Sequence, residues 1–450
     1  MDRQTRIAFL SEHASPVALL GGVGSVDAGG QNVYVDEVSR NLAQSGYIVD
    51  VFTRRDTSDI PEVIEWTPNV RIINLTAGPA AFLQKDELWQ FMPDFRDAFL
   101  DFMERDEARY DLIHGNFWMS GWVAAELRHR LNIPAVQIFH AMGKTKRHHQ
   151  GSIDTSPSER IAVESRIIQE VDSIIAQCPG EWSELVDDYG ADPEKIVIIP
   201  SAVNIDIFRP IPRAEARLRI GLQQDEFVVV YVGRMVQRKD VRNVVRAVAL
   251  LIGWCKDLTN AQTRSLPPVK LLLVGGETAD PDPIATPEIG ELQRLVSELG
   301  ISEHVLFIGK RQQDVLHDFY GAGDVVVTTP WYEPFGLTPL EGMACGRPVV
   351  GSAVGGITYT VADGETGFLV RPRDPEALAT RLYQLLVEPE LCIRMGNAAR
   401  ARVEREFTWP TVATRTGVLY ESVLASHKQS TWSVQTPMMA SLDGQSVGGE

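Results

Sequence analysis

The sequence predicts an α/β protein built from two doubly wound parallel-sheet domains. Three observations carry this. The chain has 450 residues, more than one ordinary core of about 100–200 residues takes up. Short, β-branched, nearly continuous apolar runs alternate with amphipathic stretches in two consecutive series, which is how strands buried on both faces of a parallel sheet read. Between the series lies PSAVNIDIFRP, residues 200–210, with the proline content and polarity of a linker.

The first series places strands at 7–10, 48–53, 70–75, 112–114, 135–139, 173–176 and 196–199, with helices at 32–45, 119–131 and 158–171. The second places strands at 227–232, 270–274, 305–308, 325–328 and 348–350, with helices at 241–251, 287–299, 312–320 and 375–386. A last amphipathic helix spans 409–424, and the Ser-, Gln-, Gly- and Thr-rich tail from Ser426 is expected to be mobile. The expected units are therefore 1–203, 204–406, a crossover helix within 407–425, and a disordered tail 426–450.

Composition narrows the function. With 43 basic and 60 acidic residues the net charge is −17, which disfavours nucleic acid and anionic membrane as general partners. An anionic ligand must then be held by a few placed cations and backbone amides. The four cysteines are far apart in sequence, so neither a disulfide framework nor a structural zinc is expected. No long apolar signal core and no apolar stretch of about 18 residues is present, so cytoplasm is the expected compartment and no transmembrane segment is expected.

The most informative stretch is PWYEPFGLTPLEGMACGRPVV, residues 330–350. It leaves one strand, enters a helix over 338–345 and precedes another strand. Gly336 permits close backbone approach to a ligand. The amides around Gly336, Leu337 and Thr338, beside Phe335, form an anion seat at a helix N-terminus. Glu341 can accept the two hydroxyls of a ribose, and Glu333 those of a sugar. Either glutamate alone fits a helix cap equally well; the whole string argues for a diphosphate flanked by two polyols. After the strand 227–232 comes GRMVQRKD, residues 233–240. Gly233 opens the turn, and Arg234 and Lys239 stand at its two ends, placed to reach a pyrophosphate whose charge grows as the glycosidic bond breaks. A pair of solvated cations is the plain alternative, and Arg238 reads as such.

The stretch 330–350 resembles the E-x7-E segment of retaining glycosyltransferases of family 4, here Glu333 and Glu341. GRMVQRKD is similar to the GR-x4-K-G segment of the same family, with Asp240 in place of the usual glycine. The resemblance covers about residues 6–424. It implies two Rossmann-like domains in the GT-B arrangement, a nucleotide-sugar donor (a UDP-sugar preferred) and a hydroxyl acceptor. It also implies retention of configuration, with Arg234 and Lys239 on the diphosphate. In the family a histidine at the place of His140, at the end of the strand 135–139, hydrogen-bonds the transferred sugar, which makes His140, Arg234, Lys239 and Glu333 the catalytic candidates.

The first-domain loop GGVGSVDAGG, residues 21–30, begins about ten residues after its strand. That is too late for a dinucleotide fingerprint; a loop whose Gly29 and Gly30 amides meet phosphate or acceptor fits better. DAGGQNVYV is similar to the first loop of sucrose-phosphate synthases and of the inositol-phosphate N-acetylglucosaminyltransferases of mycothiol synthesis. Asp27, Gln31 and Asn32 are acceptor candidates there, with turn formation the alternative for Asp27. Alignment to the mycothiol enzymes adds Lys85 and Arg160 for an acceptor phosphate, although Phe117 and Ala141 stand where those enzymes have hydroxyl side chains. The cluster KTKRHH, residues 144–149, offers Lys144 and Arg147 to a phosphate; peripheral contact with anionic lipid headgroups and a solvated loop are its other readings.

No Asp-x-Asp motif convinces as a metal site, since Asp280-Pro-Asp282 sits in a proline-rich turn. Neither magnesium nor any cofactor beyond the nucleotide-sugar co-substrate is expected. A nucleotide-sugar epimerase or hydrolase on the same fold, and a non-catalytic nucleotide-sugar sensor, are the competing functions; a nicotinamide oxidoreductase is disfavoured by the misplaced glycines.

Overall fold

A computed structural model describes residues 3–20, 29–151, 154–260 and 265–435. The first sheet contains β1 (Arg6–Leu10), β2 (Ile48–Arg54), β3 (Val63–Thr67), β4 (Val70–Leu75), β5 (Leu112–Asn116), β6 (Ala135–Ile138), β7 (Ser173–Ala176) and β8 (Ile196–Ile198). Their spatial order is β3-β4-β2-β1-β5-β6-β7-β8. The second contains β9 (Phe227–Val232), β10 (Val269–Val274), β11 (Val305–Gly309), β12 (Val325–Thr328), β13 (Val349–Ser352) and β14 (Gly367–Val370), in the order β11-β10-β9-β12-β13-β14. All pairings are parallel except β3 with β4.

The continuous apolar runs have a physical cause. Successive side chains of a strand point to opposite faces, and here both faces are covered. Ile7 and Phe9 of β1 enter one core while Ala8 and Leu10 enter the other. In β9, Phe227, Val229 and Tyr231 face one core and Val228, Val230 and Val232 the opposite one. The edge strand β3, half exposed and antiparallel, lacks such a run, and so it is absent from the expected strands. The other strand absent from the expected set, β14, is a four-residue apolar run, GFLV.

The chain passes between the domains twice in one place. The Val203 amide donates to the Phe407 carbonyl at 3.1 Å, and Val203 forms a bridge with Thr408. The helix Trp409–Gln435 then lies against the first domain. Trp409, Val412, Ala413 and Tyr420 enter the core that holds Phe9 and Val49, and the Tyr420 hydroxyl bonds His114 Nδ1 at 2.6 Å. This helix corrects one expectation: order continues past Ser426 to Gln435. A helix already nucleated and docked propagates at one hydrogen bond per residue fixed, so a polar composition does not end it. Among the described residues no helix is long and apolar enough to cross a membrane.

Candidate active site

In the second sheet β10 lies on one side of β9 and β12 on the other. The crevice beyond the carboxyl ends of β9 and β12 is thus a topological switch point, where open α/β sheets bind ligands. The two motif loops leave these two strands.

The loop after β9 is held by close backbone packing. Gly233 has φ +153° and its amide donates to the Val274 carbonyl at 3.0 Å. A Cβ on Gly275 would lie 1.9 Å from the Gly233 oxygen, so glycine is required where the ends of β9 and β10 touch. The Tyr231 hydroxyl donates to the Arg234 carbonyl at 3.0 Å. A short turn, Gln237–Lys239, ends at Asp240 in the left-handed region with φ +49°. That conformation explains the family glycine there and why aspartate, which tolerates it, can replace it. Thr329 Oγ1 donates to the Asp240 carbonyl at 3.0 Å and the Trp331 amide to the Arg238 carbonyl at 3.0 Å, tying the two loops together.

The side chains then converge. Lys239 Nζ forms an ion pair with Glu333 Oε2. Arg234 is exposed, and its guanidinium has no hydrogen-bond or ion-pair partner among the described residues. Gly336, with φ +87°, caps the helix Leu337–Ala344, leaving the Leu337 and Thr338 amides at its open N-terminus. Glu341 sits within this helix, and its Oε2 accepts from the Tyr320 hydroxyl at 2.6 Å; burial raises its pKa, with the Tyr320 bond opposing. Phe335 is buried, and the Gly356 amide donates to the Glu333 carbonyl at 3.1 Å. Cβ atoms on Gly355 and Gly356 would lie 2.0 Å from Glu333 O and 2.4 Å from Phe335 Cα. Tyr320, Gly275, Gly355 and Gly356 were not singled out from the sequence. The pair Gly355–Gly356 soon after a strand was the available signal.

The first domain supplies the facing wall. His140 follows β6 with φ +60°, at the carboxyl edge. Gln177 Nε2 donates to its Nδ1 at 3.3 Å, and its Nε2 donates to Asn116 Oδ1 at 3.2 Å, which sets the tautomer. Burial, with help from His13, pushes its pKa down to about 3, so the imidazole is neutral at physiological pH. Asn116 and Gln177 close the ends of β5 and β7 and were missed because lone amides carry no motif. Gly30 comes to the other domain: a Cβ on it would lie 3.1 Å from Leu337 Cδ1. Tyr332 also crosses, stacking on His149 with ring centroids 4.8 Å apart, and the Cys178 thiol donates to the Pro334 carbonyl at 3.7 Å.

The acceptor candidates divide. Asp27 and the rest of 21–28 lie outside the described residues. Gly29 and Asn32 serve the loop itself: Asn32 Oδ1 accepts from the Gly29 amide at 3.0 Å and its Nδ2 donates to the Ser15 carbonyl at 3.0 Å. Gln31 Nε2 donates to Ser11 Oγ at 3.5 Å. Lys85 Nζ and the Arg160 guanidinium each lie 5.1 Å from the Phe117 ring centre. Arg160, only 1% exposed, does not stand as an open clamp: it donates to Glu164 at 2.8 Å, the Ala141 carbonyl at 2.6 Å and Ser156 at 3.3 Å. Lys144 Nζ donates to the Asp188 carbonyl, and Lys146 and Arg147 share Asp154, at 2.9 and 3.8 Å, so the contacts of these cations lie within their own domain while their positive charge exceeds that of the one carboxylate. Asp282 Oδ1 accepts from the Ile284 amide at 2.8 Å, the bond of a turn-forming aspartate.

Residues 28–207 match the family described as Glycosyltransferase Family 4, and residues 212–402 match Glycosyl transferases group 1. The chain is a family 4 glycosyltransferase with the GT-B fold. The D-inositol 3-phosphate glycosyltransferase of Streptomyces scabiei is 37% identical over 94% of this chain and 92% of its own length. The structure of sucrose-phosphate synthase from Thermosynechococcus elongatus is 35% identical, with TM-score 0.81 over 94% of this chain and all of its own. Anabaena HepE in complex with UDP-glucose, at 20% identity and TM-score 0.68 over 94% of this chain and all of its own, shares the fold. These two relatives of the glycosyltransferase carry different names, one for D-inositol 3-phosphate and one for sucrose phosphate.

Proposed function

We propose that this glycosyltransferase moves a sugar from a UDP-sugar to an acceptor hydroxyl, with retention and without a metal ion. The observation that carries this reading is the meeting of Lys239 and Glu333, 94 residues apart in sequence, at the switch-point crevice beside the Leu337–Thr338 amides. In this reading the diphosphate takes the place between Arg234, Lys239 and those amides. Glu341, oriented by Tyr320, receives the ribose diol, and Glu333, Gly336 and Phe335 line the sugar. Neutral His140 on the facing wall turns its Nε2–H, which meets Asn116 in the free protein, to a sugar hydroxyl. The cations stabilise the leaving diphosphate more as its charge grows, which lowers the barrier.

The bond from the anomeric carbon to the donor oxygen breaks as the bond to the acceptor oxygen forms on the same face. The acceptor proton passes to the leaving phosphate oxygen, so no side-chain nucleophile is required. Anabaena HepE with UDP-glucose on the same fold supports the choice of donor.

The test is a thermal-shift screen of UDP-, ADP- and GDP-sugars, followed by NMR of the product anomer with and without EDTA. UDP-sugar binding, an α-linked product from an α-linked donor and indifference to EDTA are expected. An inverted product, or activity lost to chelator and restored by a divalent ion, overturns the reading.

A further inference from the structure

We propose that a cavity on the first domain, beside Lys85, binds an uncharged sugar ring, the outer ring of an acceptor that is a disaccharide or longer. This rests on the sugar transfer proposed above.

The cavity encloses about 330 Å³, at the small end of the roughly 300–1,000 Å³ typical of ligand sites. It lies over the carboxyl ends of β1, β2 and β4, where Glu12, His13, Arg54, Asp56, Phe82 and Lys85 line it. Glu12 is 1% exposed, and its Oε2 accepts from the Ser120 amide at 3.1 Å and from the Ser120 hydroxyl. Its Oε1 lies 2.6 Å from His13 Nδ1. His13 Nδ1 is engaged by that carboxylate, and its Nε2 has no protein partner among the described residues; a hydroxyl can donate to it or accept from it. A hydroxyl suits that atom.

The remaining wall disfavours phosphate. Arg54 does not offer an open fork: it donates to the Ala77, Pro79 and Ala81 carbonyls. Glu12, Asp56 and Asp59 outnumber Arg54 and Lys85 along the lining, and burial raises the Asp56 pKa. Carboxyl groups accept from hydroxyls but repel a phosphomonoester. Phe82, an exposed aromatic at 38%, presents an apolar face to the C–H face of a ring.

The ring in this cavity is not the reacting one. The lining includes no second-domain residue and neither His140 nor Asn116, whereas the reacting hydroxyl must reach the donor held by the second domain. The two places are connected: His13 lies 5.0 Å from the Phe117 ring and close enough to His140 to help keep it neutral. An acceptor that reaches from His140 into the cavity therefore has at least two units.

The test pairs saturation-transfer NMR with initial rates. Fructose, glucose, sucrose, maltose, maltotriose, fructose 6-phosphate and inositol 3-phosphate are offered to the full chain with UDP-glucose. At least one neutral disaccharide should bind about tenfold more tightly than its component monosaccharide, the increment of one to two hydrogen bonds. Phe82→Ala and Asp56→Asn should remove that increment and leave monosaccharide binding, UDP-induced thermal shift and melting temperature unchanged. No disaccharide gain across the panel, a gain that survives both substitutions, or a lower KM for a phosphorylated monosaccharide than for every neutral saccharide overturns the proposal. Turnover of UDP-glucose with the phosphorylated acceptors alone sinks this inference and leaves the transferase reading standing; no donor binding at all sinks the transferase reading.

Discussion

Replacing Lys239 with methionine keeps the aliphatic stem and removes the charge that pairs with Glu333. Two consequences separate. In the resting protein the Glu333 carboxylate, whose side chain is 13% exposed, loses its partner. Between the near-zero worth of exposed pairs and the roughly 3–5 kcal/mol lost on breaking a fully buried one, a loss of about 1–2 kcal/mol is expected. In the transition state the loss is larger. A cation aimed at developing diphosphate charge in a water-poor crevice contributes about 2.7–4 kcal/mol, so kcat should fall about 10²- to 10³-fold. The double variant Lys239→Met/Glu333→Gln discriminates, because it removes the orphaned charge. It should recover much of the lost melting temperature and none of the activity. Steady-state rates with saturating UDP-sugar, with Arg238→Ala as the control expected to stay within about twofold, provide the assay. A Lys239→Met enzyme within a few-fold of wild-type kcat, or activity restored in the double variant, would refute the assigned role.

Three further outcomes follow from the same geometry. Tyr320→Phe removes the hydroxyl held 2.6 Å from Glu341; donor KM should rise about tenfold with kcat little changed, since a hydrogen bond to a charged group contributes about 1.5–3 kcal/mol, and an unchanged KM would remove Tyr320 from the donor site. Gly356→Ala puts a Cβ 2.4 Å from Phe335 Cα, so the Glu333 loop must shift; about 1–3 kcal/mol of stability and most of the activity should be lost together, and full activity would show the loop to be tolerant. His114, bonded to Tyr420 and held neutral by burial with its pKa pushed down to about 3, takes up a proton only on unfolding as pH falls below 6.5. Its stabilising contribution is complete above that value and lost on acidification, by about 2 kcal/mol at pH 5. His114→Gln should flatten the decline of melting temperature between pH 6.5 and 4.5, and parallel curves for the two proteins would contradict this.

Burial on both strand faces writes itself into the chain as uninterrupted β-branched runs, which is why the inner strands and the two-sheet architecture were legible. β3, half exposed at an edge, left no such run, whereas β14, GFLV, is apolar but only four residues long and was passed over. The two motif loops of the candidate site were legible for a related reason: Gly336, Glu333 and Glu341, like Arg234 and Lys239, each lie within one short strand-to-helix connection, so their spacing is local. Asp240 illustrates both levels, since sequence shows the departure from glycine and only its φ of +49° shows why the departure is tolerated.

What the sequence by itself determined is the set of local instructions: alternation of strand and helix, the positive-φ glycine before an open helix end, and the charges flanking each loop. Tertiary structure decided which of those charges are available. Arg160, Lys144 and Arg54 look alike as letters, yet each is engaged by a carbonyl or a carboxylate brought near by folding, whereas Arg234 is left open. Hydrogen-bond partnership depends on distances between segments far apart in the chain, as with Tyr320 and Glu341 or Glu12 and Ser120, and no local pattern encodes it.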